Sequence, residues 1–172
     1  MNYVIIGNGP TGVIAAETLR KADPAGKITM IGSEAEPPYS RMAIPYLLIG
    51  NIKEEGTHLR KGNDHFAQMK IDNVVGKVSK VDTAAKKITL ESGAQHSYDK
   101  LLIASGSHPV APPIPGIDLP GIHPCWTLAD ARKIMDIAKP GARVLQMGAG
   151  FIGCIIMESL AARGVKLTVV EM

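Results

Sequence analysis

An α/β fold is predicted: two strand–turn–helix–strand units, the second cut short, with an antiparallel meander attached to the first. Three observations carry it. A Gly-x-Gly-x-x-Gly segment occurs twice, each copy follows an apolar strand and precedes a helix-like stretch, and short alternating strands lie between the copies. A chain of 172 residues is long enough to bury a core of ordinary size.

The first copy is Val4-Ile-Ile-Gly7-Asn-Gly9-Pro-Thr-Gly12 and the second Val144-Leu-Gln-Met-Gly148-Ala-Gly150-Phe-Ile-Gly153. Each glycine of the second lies 141 residues beyond its counterpart, as do Glu158 beyond Glu17 and Leu160 beyond Leu19. Helices are expected over Val13–Lys21 and Cys154–Arg163, followed by apolar strands Lys27–Ile31 and Val165–Val170. Each unit is therefore a Rossmann-like parallel βαβ pair. In such a turn the first glycine allows the tight bend. The second lets backbone approach a pyrophosphate, and the third lets helix pack closely on sheet. The helix N-terminus then presents free N–H groups to the phosphates. Two copies in full βαβ context are far more specific than one.

Residues 32–70 read as irregular, with a short helix around Ala43–Ile49. From Val74 the alternation predicts three meander strands, Val74–Val81, Lys87–Leu90 and Ser97–Asp99, with turns at Asp82-Thr-Ala-Ala and Glu91-Ser-Gly. Lys100–Gly106 reads as one more buried parallel strand ending in a glycine turn. Six prolines between Pro109 and Pro124 then mark an extended connection. Thr127 is placed to cap a helix over Leu128–Ala138. The expected domains are residues 1–115 and 120–172.

Apolar residues make up 45% and charged residues 20%, an ordinary globular balance, and the net charge of +3 is scattered. Nucleic-acid and membrane binding are therefore not expected, and a soluble, cytoplasmic protein is. Cys125 and Cys154 have neither metal-site nor disulfide-framework spacing, and no metal is expected.

These features in this order resemble the FAD-dependent flavoproteins with two dinucleotide-binding domains, especially the ferredoxin, rubredoxin and nitrite reductase flavoproteins. The resemblance spans essentially the whole chain. It includes Pro38-Tyr-Ser-Arg41, Leu102-Ile-Ala-Ser-Gly106, Pro113-Ile-Pro-Gly116 and Thr127-Leu-Ala-Asp-Ala131. It implies FAD in the first unit and NADH in the second, with NADPH disfavoured. A hydride would pass to the flavin and electrons to a ferredoxin, a rubredoxin, a nitrite-reductase-like module or a small acceptor.

By that resemblance Gly7, Gly9, Pro10 and Gly12 meet the FAD pyrophosphate. The ribose acid's position falls at Ser33, with Glu34 beside it, and the choice between them is open. Arg41 approaches the cofactor or is a surface loop arginine. Val78 contacts the adenine through its backbone, and Ala104, Ser105 and Gly106 line the flavin. Gly148, Gly150 and Gly153 take the nicotinamide dinucleotide, with Glu171 at its ribose, favouring NADH.

Three departures stand out. Met42 occupies the position of a reactive cysteine and no Cys-x-x-x-x-Cys occurs, so transfer without a chain thiol is expected. A lysine–glutamate pair that many relatives place beside the flavin is replaced by Tyr46 and Ile155. Finally, the family continues well past the position of Met172, so a fragment, or a unit completed by another chain or by a homodimer, is expected. A reductase, a partner-completed electron carrier and a non-catalytic remnant all remain open at this point.

Overall fold

The computed structural model describes residues 1–62 and 64–171. Along the chain lie β1 (Asn2–Ile6), α1 (Pro10–Ala22), β2 (Lys27–Gly32), α2 (Ile44–Ile49), α3 (His65–Gln68) and β3 (Ile71–Val75). β4 (Val78–Asp82), β5 (Lys87–Leu90), β6 (Gln95–Ser97) and β7 (Lys100–Ile103) follow. α4 (Leu128–Ile137), β8 (Arg143–Met147), α5 (Phe151–Ala162) and β9 (Lys166–Val170) complete the order. Single 3₁₀ turns occur at Arg41–Ala43 and Glu54–Thr57. The chain divides into two compact units, one of Met1–Ser40 with His58–Ser107, the other of Arg41–Thr57 with the chain from His108 on.

The first unit is a three-layer sandwich. Its central sheet is parallel, in the order β3-β2-β1-β7. Successive side chains on a strand face opposite sides, so Ile5, Ile28 and Met30 pack with Val13 and Ala16 of α1 on one face. Val4 and Ile31 meet Ile88, Leu90 and Tyr98 of the antiparallel β4-β5-β6 meander on the other. Ile5, Ile28, Met30 and Ile31 are at most 1% exposed, and burying each such side chain contributes about 1.5–3 kcal/mol. Arg20 fastens the end of α1 by donating to the carbonyls of Gly26, Met69 and Lys70.

Three local expectations change. The strand expected over 74–81 is two strands: β3 joins the parallel sheet beside β2, and β4 starts the meander. The break falls at Gly76, whose N–H donates to the Gly32 carbonyl. A Cβ there would stand 2.6 Å from Leu90 Cδ1. The third meander strand ends at Ser97, because Tyr98 turns into the core and Asp99 hydrogen-bonds to Asn2 of β1. The last parallel strand is not buried. It is an edge strand, with Leu102 37% and Ile103 63% exposed. Between its face and α1 runs an apolar groove of about 830 Å³, lined by Tyr3, Ile5, Ile14, Leu19 and Leu102 among others.

In the second unit β8 and β9 form a parallel pair joined through α5. α4 starts with the expected cap: Thr127 Oγ1 accepts the Asp130 N–H, and Asp130 Oδ2 accepts the Thr127 N–H. α2 packs its buried Ile44, Leu47 and Leu48 in this unit. Arg163 binds the helices together, donating to the carbonyls of Leu48, Met135 and Ala138.

Candidate functional site

In the first unit the sequence candidates gather at one edge of the sheet. Gly7–Gly12 follow β1, Ser33 and Glu34 follow β2, Val78 follows β3 through the Gly76 turn, and Ala104–Gly106 follow β7. This is the carboxyl edge of a parallel sheet, where ligands of open α/β folds bind. Gly148, Gly150, Gly153 and Glu171 hold the same position relative to β8 and β9.

The glycines have separable roles. Gly7 has φ +113°, and a Cβ on it would stand 2.1 Å from the Ala104 carbonyl oxygen. Gly12 and Gly153 each sit against the first glycine of their own turn, with a Cβ falling 1.9 Å from Gly7 O and 2.4 Å from Gly148 O. Gly9 and Gly150 differ. They cap α1 and α5 in extended conformations, φ −75° and −65°, that any residue adopts. A Cβ on either would meet nothing within 4 Å. Neither backbone strain nor the chain's own packing calls for glycine there. Neither helix has a side-chain cap or an acid in its first turn, and both leave N–H groups facing that space. Pro10, at the first helical position, has no N–H to leave unpaired.

Sequence reasoning missed Gln146. Its Nε2 donates to both the Gly148 and Gly153 carbonyls at 2.8 Å, bracing the second turn from behind. These two acceptors fix the amide orientation, and among the described residues Oε1 is buried without a partner. The signal was a glutamine inside an otherwise apolar strand. At the mouth of the same turn a Glu171 carboxylate oxygen accepts the Ala149 N–H.

The other candidates sit in differing surroundings. Ser33 is exposed, and Glu34 accepts the Tyr39 hydroxyl at 2.6 Å. Val78 packs against the cluster around Val4 and Ile88, and Ala104 packs beside Ile5. Ser105 and Gly106 are exposed. Arg41 lies in the second unit, its guanidinium 4.9 Å from the Trp126 ring and donating to the Trp126 carbonyl at 2.7 Å. Met42 and Tyr46 are exposed, and Ile155 is half-buried. Burial, with the Asp130 carboxylate adding to it, pushes the Cys125 thiol up to about 11, while Cys154 is exposed and donates to the Ala149 carbonyl. Among the described residues no three His, Cys, Asp or Glu gather as metal ligands, and no helix is long and apolar enough to cross a membrane.

The sequence profile of the pyridine nucleotide-disulphide oxidoreductase family matches residues 1–172. The chain belongs to this family. Its relatives include the epsilon subunit of NADH-dependent phenylglyoxylate dehydrogenase from Aromatoleum evansii, 34% identical over 99% of this chain and 40% of that protein. The ferredoxin–NAD(+) reductase subunit of the Pseudomonas putida benzene 1,2-dioxygenase system is 33% identical over 99% of this chain and 42% of its own length. Among solved structures, NADH:rubredoxin oxidoreductase from Clostridium acetobutylicum superposes with a TM-score of 0.85 at 29% identity, covering 99% of this chain and 44% of that one. The chain thus spans about 40% of the length of the curated relatives it matches.

Proposed function

We propose that this chain contributes the FAD cradle and the start of the NADH cradle of an NADH-dependent flavoprotein oxidoreductase. Its acceptor would be a small electron-transfer protein of the ferredoxin or rubredoxin class. The observation that carries the reading is the pair Gly9 and Gly150, two glycines whose missing side chains face open space at a helix N-terminus. The names of the relatives support the donor and the acceptor.

When bound, FAD supplies a flavin ring that accepts a hydride from the nicotinamide and releases electrons to the acceptor. The chain's own part is to bind and orient. Gly7, Gly9, Pro10 and Gly12 present the α1 amides to the FAD pyrophosphate, with Ser33, Glu34, Arg41, Val78, Ala104, Ser105 and Gly106 as further contacts. Gly148, Gly150 and Gly153 do the same for NADH, and Gln146 holds the Gly148 and Gly153 carbonyls in place. Residues 1–115 and 120–172 are the corresponding domains of this reading. Glu171 exchanges its bond to Ala149 for the adenosine ribose hydroxyls. An NADP phosphate at the same place would meet a carboxylate instead.

The test is purification of the intact protein and stopped-flow reduction with each donor. Bound flavin, bleached by NADH at least about tenfold faster than by NADPH, is expected, with the gap narrowed in Glu171→Ala. A colourless protein overturns the flavin reading. Equal or faster reduction by NADPH overturns the donor assignment.

A further inference from the structure

The two turns meet the second strand of their units through the same ladder but with different side chains at the corner. Ile6 is in register with Ile31 and Met147 with Val170. The Gly7 N–H donates to the Ile31 carbonyl and the Gly148 N–H to the Val170 carbonyl. By this ladder Gly32, rather than Ser33, is the counterpart of Glu171, and Asn8 is the counterpart of Ala149.

In the second unit the strand end carries the polar group, and the turn residue beside it is a bare alanine. In the first unit the assignment is reversed. The strand end is Gly32, and a Cβ on it would stand 2.2 Å from Asn8 Cγ and Nδ2 and 2.3 Å from Oδ1. Three nearly equal distances put the flat face of the Asn8 amide over the Gly32 Cα. Its edge, with two donor hydrogens and an acceptor oxygen, is left free. Among the described residues that edge makes no hydrogen bond, and Asn8 is only partly buried. Ser33 is exposed, Glu34 accepts the Tyr39 hydroxyl, and the three atoms nearest a Cβ on Gly32 all belong to Asn8.

We infer that the Asn8 side-chain amide takes the place of the strand-end carboxylate in the first unit and holds the adenosine ribose diol of FAD. Oδ1 accepts from one hydroxyl and Nδ2 donates to the oxygen of the other. Gly32 lacks a side chain because Asn8 occupies its space. This inference rests on the FAD reading of the first unit.

The experiment uses the intact protein stripped of flavin and titrated, by flavin fluorescence, with FAD and with its analogue carrying 2′-deoxyadenosine. The native protein is expected to prefer FAD by about threefold to tenfold, the range one hydrogen bond supplies. Asn8→Ala and Asn8→Leu, the latter filling the same space without a polar edge, should bind the two ligands equally. The paired change Asn8→Ala with Gly32→Glu rebuilds the second unit's device and should restore the preference. Equal binding by the native protein, or an unchanged preference in either single variant, overturns the inference. Failure of the underlying FAD reading looks different, since the native protein would then bind neither ligand.

Discussion

Gly9 and Gly12 are three residues apart in one turn, yet they are glycines for different reasons. A Cβ on Gly12 meets the Gly7 carbonyl at 1.9 Å, a backbone atom that cannot turn aside, whereas one on Gly9 meets nothing. Gly12→Val should therefore lose stability, towards the upper end of the roughly 1–3 kcal/mol usual for overpacking. Gly9→Val should unfold at the native temperature but bind no flavin, because the pyrophosphate can no longer approach the backbone. Thermal melts beside flavin titrations check both. A Gly9→Val protein that retains flavin would remove the basis of the cradle. Of the corner residues, only Glu171 stood out in the sequence as an acid ending a strand. Asn8 carries no signal of its own in the sequence, because its place depends on the register that brings Gly32 beneath it.

At the scale of elements, α1 is tied to the segment before α3 through one carboxylate. Glu17 accepts two hydrogen bonds from Arg60, at 2.6 and 2.7 Å, and lies 2.8 Å from His65 Nε2. The Arg60 bonds hold the Glu17 carboxyl below its ordinary value of 4.5. Burial opposes them and His65 adds to them. A depressed carboxylate contributes stability that is present above its unfolded value and lost as pH falls through the folded one. Glu17→Gln should thus cost about 1–3 kcal/mol at neutral pH by leaving Arg60 without its charged partner. It should also flatten the loss of stability between about pH 5 and the folded titration point. Urea midpoints measured across that range decide it, and equal slopes for the two proteins would contradict it. The elements themselves were largely readable, since helical periodicity and glycine turns are local signals. α1 and α5 begin three residues before the expected Val13 and Cys154, because Pro10 and Phe151 sit at first-turn positions that carry no apolar period. The split of 74–81 is not legible in the sequence, because Val74 and Val78 fall on one alternation while their partners, Ile31 and Leu90, lie in two different sheets.

For the molecule as a whole, the thiols bear on the route electrons take. Cys125 titrates at about 11 because it is largely desolvated, so at neutral pH it is a protonated, unreactive thiol. Cys154 is exposed at the rim of the second turn. Replacing Cys125 by alanine and Cys154 by serine should leave NADH-driven reduction of an artificial acceptor nearly unchanged in the intact protein. A loss greater than about a hundredfold, roughly 2.7 kcal/mol in barrier terms, in a folded variant would show that a thiol takes part. The same desolvation gives a pH signature. A thiol whose titration is raised favours the fold at lower pH, and that contribution fades as pH climbs from 9.0 towards 11.

The packing of α2 also has a temporal side. Arg163 reaches the Leu48 carbonyl across 115 positions, and Ser159 lies 3.4 Å from the Pro45 carbonyl across 114. A ribosome adding about 5–20 residues per second needs on the order of ten seconds to deliver the partners of a helix it has already made. Throughout that interval Ile44, Leu47 and Leu48, all nearly fully buried in the finished unit, have no completed surface to cover them. The nascent chain therefore carries a six-residue apolar stretch through the synthesis of everything up to α5, a window in which chaperones and neighbouring nascent chains compete for it.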